Sequence, residues 1–171
     1  MLFCQAADIG RAATGSLSPE RIADRFAGNL LMPDYLFRPI ARRFTKIDFE
    51  AVRKIANAFD TSRTATAIRL VEAGYFVGCL VCHGPRGRKW FARSRAVPDR
   101  WFPREELAAD GFAIEVLFGR TTDNRFPRKV GADAWFDRFD AEQYEVHEQT
   151  IRIGDDEILT LVRIDEDGML S

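Results

Sequence analysis

Apolar side chains in the first half of the chain return at helical spacing. Ile22, Ala23, Phe26, Ala27, Leu30 and Leu31 recur at i, i+4 and i+8, with neighbours that widen the stripe. Such a stripe is the buried side of an amphipathic helix. Ser18-Pro19 supplies its start, a serine N-cap and a proline at the first helical position, where a missing N–H costs nothing. Pro33 ends it, and Tyr35-Leu36-Phe37 fits a short helix or turn. A second periodic segment runs from Asp48, an N-cap, through Phe49, Val52, Ile55, Ala56 and Phe59. Asp60-Thr61-Ser62 interrupts it and caps a third helix with Ala65, Ile68, Leu70 and Val71, stopped by Gly74. Two helices this close have the spacing of a helix-turn-helix.

After Gly74 the pattern changes. Tyr75 to Cys82 is a mostly apolar, β-prone run, Gly84-Pro85-Arg86-Gly87 is turn chemistry, and Lys89 to Arg93 is a second strand. Together they predict a hairpin with a loop of about four or five residues. Ala113 to Phe118 suits helix or strand, and the acids and small residues before it favour helix. Tyr144 to Glu148 alternates, and Thr150–Ile153 and Ile158–Ile164 flank Gly154-Asp155-Asp156 as another hairpin, its last strand the more buried. The expectation is an α+β fold: a helical N-terminal half with a helix-turn-helix-like pair, then a mixed α/β part with antiparallel hairpins. The divisions fall at residues 1–46, 47–74 and 75–171.

The composition supports a folded chain. Its 171 residues are 46% hydrophobic and 12% aromatic, enough to bury a core and exclude global disorder. No apolar run approaches the roughly 18 residues of a membrane span. The N-terminus lacks the basic and apolar regions of a secretory signal. An odd count of three cysteines suits a reducing cytoplasm better than a disulfide framework. Charge is balanced overall and uneven locally. Between Arg86 and Arg104 seven basic residues face Asp99 alone, while between Asp140 and Asp167 ten acids face Arg152 and Arg163. Each run reads as a solvated face, or the two oppose each other and cancel.

Candidate chemistry is sparse. Cys79-Leu80-Val81-Cys82-His83 matches the haem c attachment pattern, but a strand would send the two cysteines to opposite faces. His147 with Glu145 or Glu148 could form a general acid–base pair, and it also fits an ordinary surface histidine. Glycine-rich phosphate loops and serine-hydrolase elbows are absent. Trp90, Phe91, Trp101 and Phe102 interleave with cations, the pairing that single-stranded nucleic acid needs. Nucleic-acid contacts would then fall to Arg63 and Arg69 on the third helix and to Arg88, Lys89 and Arg93 on the hairpin.

The most specific stretch is Glu20-Arg21-Ile22-Ala23-Asp24-Arg25-Phe26-Ala27-Gly28-Asn29-Leu30-Leu31-Met32-Pro33. It closely resembles the E-x-x-A-[ND]-x-F-A-x-x-L-L-M-P segment of the ImmA/IrrE family of zinc-dependent metallopeptidases. Ala56, Phe59, Ser62, Ala65 and Arg69-Leu70 resemble the segment that follows in that family. Lys89-Trp90-Phe91, Ala134-Trp135-Phe136 and Ile158–Leu161 look like the sensor-like (GAF-like) part of its longer members. The resemblance implies that Glu20 stands at the position of the third zinc ligand. The other two ligands and the general base come, in the family, from a His-Glu-x-x-His helix a few tens of residues earlier. Neither His83 nor His147 has that spacing, and only 19 residues precede Glu20. The expectation is a chain without that helix, without bound zinc and without peptidase activity. It would keep the parts that bind a transcriptional repressor and sense a signal in the cytoplasm. The alternative is a regulator that binds nucleic acid directly. Loss of the covering helix would expose Ile22, Phe26 and Leu30, so a homodimer or a rearranged N-terminus is expected to cover them.

Overall fold

A computed structural model describes residues 26–109, 111–119, 121–123 and 126–171. Glu20 and Asp24, with the expected start of the first helix, lie outside the described residues. Residues 26–31 are helical and stop before Pro33. The Tyr35-Leu36-Phe37 segment is more than a turn, for α1 spans Asp34–Ala41 with Pro39 inside it. Helix α2, Phe49–Phe59, starts at Asp48, whose carboxylate accepts from the Ala51 amide at 2.8 Å. Helix α3, Arg63–Glu72, starts at Ser62, whose hydroxyl accepts from the Ala65 amide at 3.0 Å. Both caps satisfy amides that have no partner inside the helix.

The first strand begins later than its apolar run suggests. Gly74 takes a φ of 78°, the Gly74 amide donates to the Val71 carbonyl, and the Tyr75 amide donates to the Leu70 carbonyl. That pair of bonds closes α3 in a Schellman turn and spends the Tyr75 amide on the helix. Strand β1 therefore spans Gly78–Gly84, and β2 spans Gly87–Arg93. Their turn is tighter than four or five residues, because pairing continues to Gly84 and Gly87. Helix α4 covers Phe112–Leu117, the helical alternative for that segment. A strand that the apolar pattern does not signal, β3, follows at Arg128–Gly131. Strand β4, Glu145–Gly154, runs unbroken through both of its alternating segments, and β5 spans Glu157–Arg163. A last short helix, α5, spans Asp167–Leu170.

The strands form one antiparallel sheet in the order β2-β1-β5-β4-β3. Two hairpins thus join along β1 and β5, which places β5 at the centre of the sheet. One face packs Leu80, Cys82, Trp90, Ile151, Leu159 and Leu161 against helical residues such as Phe37, Val52, Ile55 and Leu70. The other face packs Cys79, Val81, Val146, Ile158 and Val162 under Trp101, Val116, Trp135 and Phe136. The helix pair is therefore anchored to the sheet, and the Phe49 amide at the start of α2 donates to Gln149 on β4 at 2.8 Å. Among the described residues no helix is long and apolar enough to cross a membrane.

Candidate functional site: an exposed helical face

The helical N-terminal part is held from one side. Met32 is buried, with its sulfur 3.9 Å from the hydroxyls of both Thr61 and Thr66. Phe37 is buried between the rings of Phe59 and Tyr75, at centroid distances of 5.8 and 6.0 Å. Asp34 accepts from Arg69 at 2.6 Å and from Arg38 at 3.0 Å, and this pins the start of α1 to α3. Among the described residues the other side is apolar and exposed. Phe26 is 70% exposed, Leu30 71% and Tyr35 75%, with Leu31 and Leu36 about half or more exposed. Large apolar side chains gathered on two successive helical segments define a surface whose removal from water is favourable.

The cations singled out in the sequence are mostly engaged. Arg69 pairs with Asp34, and its guanidinium lies 5.7 Å from the centre of the Phe37 ring. Arg88 donates to Glu105 at 2.9 Å and to the Pro103 carbonyl, and it stacks over Phe102 at 4.6 Å. Lys89 pairs with Glu157, and Arg93 with Asp99. The Lys89–Glu157 pair joins the basic run to the acidic one, while Arg88 and Arg93 hold Glu105 and Asp99, in or next to their own run. Arg63 stands exposed at the first position of α3.

The remaining motifs separate in space. Cys79 packs on one face of the sheet and Cys82 on the other, and burial pushes both thiols up to about 12. His83 is buried, with its ring centroid 6.0 Å from that of Trp135 and neither nitrogen hydrogen-bonded among the described residues. Burial lowers its pKa from 6.5 to about 4, an effect that the nearby Arg104 backbone only partly opposes. His147 pairs with neither glutamate suggested by its neighbourhood. Its Nδ1 lies 3.0 Å from Asp165, which also binds Arg163 at 2.9 Å. Glu145 pairs with Lys129, and buried Glu148 accepts from the Trp135 indole at 2.7 Å. Burial raises the Glu148 pKa. The His147–Asp165–Arg163 group was not legible from the hairpin turn: counting back from Asp155-Asp156 sets His147 opposite Ile164, and the irregularity between Arg152 and Gly154 shifts the pairing by one residue to Arg163.

The zinc site expected from the resemblance would take two imidazoles beside a carboxylate. His83 and His147 sit on different strands in different environments, and among the described residues no three His, Cys, Asp or Glu side chains gather to hold a metal ion. These residues do not fit a zinc centre. The chain is thus an α+β protein with a five-stranded antiparallel sheet between a helical layer and a layer of short helices and loops. No protein-family model matches it, and no curated protein does.

Proposed function

We propose that the chain is a regulatory protein-binding module of the ImmA/IrrE type, without peptidase activity of its own, acting on a cytoplasmic transcriptional repressor. The observation that carries this reading is the apolar face of Phe26, Leu30, Leu31, Tyr35 and Leu36, exposed among the described residues on a segment anchored from behind by Met32 and Phe37. A rigid, apolar helical surface suits a protein partner, because docking relies on burial of large side chains. The motif-bearing stretch ends on this face, and the antiparallel hairpins of the second half support a sensor-like, GAF-like domain behind it. The rival reading, nucleic-acid binding through Arg63, Arg69, Arg88, Lys89 and Arg93, needs cations free to meet phosphate. Four of these five already hold acidic partners.

The test is a titration of the purified chain against the helix-turn-helix repressors encoded beside it and elsewhere in its genome. At least one should bind and remain uncleaved by mass spectrometry. The double substitution Phe26→Ser, Leu30→Ser should weaken that binding at least tenfold, since each buried large apolar side chain contributes about 1.5–3 kcal/mol. Binding by no repressor, or undiminished binding by the variant, overturns the reading. A second copy of the chain on the same face would appear as a concentration-dependent dimer that the variant abolishes.

A further inference from the structure

A pocket of about 450 Å³ opens where the helical layer meets one end of the sheet. The connection between α1 and α2 contributes Thr45 and Lys46, that between α3 and β1 contributes Tyr75, and the end of β5 contributes Arg163 and Asp165. Val77 and Leu170 supply apolar surface over the buried side chains of Phe76 and Ile164. Phe76 belongs to the core on one face of the sheet and Ile164 to the core on the other, so the pocket lies at the seam between them. Its volume falls within the range of small-molecule sites, roughly 300–1,000 Å³.

The charges in its wall are unequally satisfied. The Asp165 carboxylate accepts from Arg163 Nε at 3.0 Å and Nη2 at 2.9 Å and lies 3.0 Å from His147 Nδ1, so the Arg163 and Asp165 charges answer each other within the protein. Among the described residues Lys46 has no acidic partner, and the hydroxyls of Thr45 and Tyr75 have no hydrogen-bond partner. The pocket therefore offers an ammonium and two hydroxyls beside an apolar surface. That set complements an anion with a short apolar body, because charge-assisted hydrogen bonds to a carboxylate are about twice as strong as neutral ones.

We propose that this pocket binds a small organic carboxylate, with Lys46 and the Thr45 and Tyr75 hydroxyls meeting the carboxylate and Val77 and Leu170 meeting its apolar body. A ligand seated there touches the connections of the helical layer and the end of the sheet at once. It ties the two layers together, and binding to the folded state alone stabilises that state. The site uses none of the side chains of the exposed helical face and does not depend on partner docking.

The probes are hexanoate and benzoate, titrated into the ¹⁵N-labelled full chain at constant ionic strength, with hexylamine as the cationic counterpart. At least one carboxylate should give saturable amide shifts concentrated at residues 45–47, 75–77 and 163–165, and hexylamine should give none there. Lys46→Ala, which removes an exposed side chain and should keep the wild-type spectrum elsewhere, should weaken carboxylate binding about tenfold. The proposal is overturned if neither carboxylate gives saturable shifts at those amides, if hexylamine reproduces them, or if Lys46→Ala leaves the affinity unchanged.

Discussion

A buried imidazole gives the protein a defined response to acid. His83 lies under Trp135, and burial lowers its pKa from 6.5 to about 4. The unfolded chain then takes up a proton at a higher pH than the fold does. Its contribution to stability is full above the unfolded pKa, is lost as pH falls from 6.5 to about 4, and is constant below that. The loss amounts to about 3 kcal/mol. Burial of Glu148 acts in the opposite sense, because a raised carboxyl pKa favours the fold as pH falls. Urea midpoints measured from pH 7 to pH 4 for wild type and His83→Phe separate the two, since both proteins carry Glu148. The difference between the curves should grow as pH drops; parallel curves would exclude His83 as the titrating group. Neither residue's setting is legible from its neighbours in sequence, because Trp135 reaches both from a separate segment.

At the scale of elements, helix starts were the most readable features. Asp48 and Ser62 cap α2 and α3 through bonds to residues three positions on, an interaction contained within a few residues of chain. Strand limits were less readable, since they depend on partners far away. Gly78 shows this well. Its φ of 151° suits glycine alone, and a Cβ there would lie 2.0 Å from the Val162 carbonyl oxygen on β5. Gly78→Ala should therefore cost at least about 3 kcal/mol, through backbone strain and separation of β1 from β5. Thermal unfolding provides the measurement, and a melting temperature within a degree or two of wild type would show that β1 can shift without penalty. Strand β3 has no apolar signal because only four residues form it, and none of them is fully buried.

For the whole molecule, the question is which charges and which apolar groups remain available once the chain is folded. The basic run of Arg86–Arg104 looks like a nucleic-acid stripe along the sequence, yet Arg88, Lys89 and Arg93 are each paired with an acid. Short duplex and single-stranded DNA should accordingly show no retardation in a gel shift at 50 mM salt and micromolar protein. A retarded band that weakens steeply with added salt would restore the nucleic-acid reading. The apolar stripe behaves in the reverse way. Its period marks Phe26 and Leu30 as core, but the described structure leaves them exposed, whereas Met32 and Phe37 are buried.

By itself the sequence determined what is local: the helical periods, the caps at Asp48 and Ser62, the turns around Pro85 and Asp155, and the alternation that sends Cys79 and Cys82 to opposite faces. Each of these depends on backbone geometry within a few residues. Tertiary structure alone decided which acid answers each cation, which side of the first helical segment faces water, and how β1 and β5 bring two hairpins into one sheet. It also brought Lys46, Tyr75 and Arg163 to the rim of one pocket from three distant segments. Those outcomes depend on packing between residues far apart in the chain, and a linear pattern does not encode the distance between them.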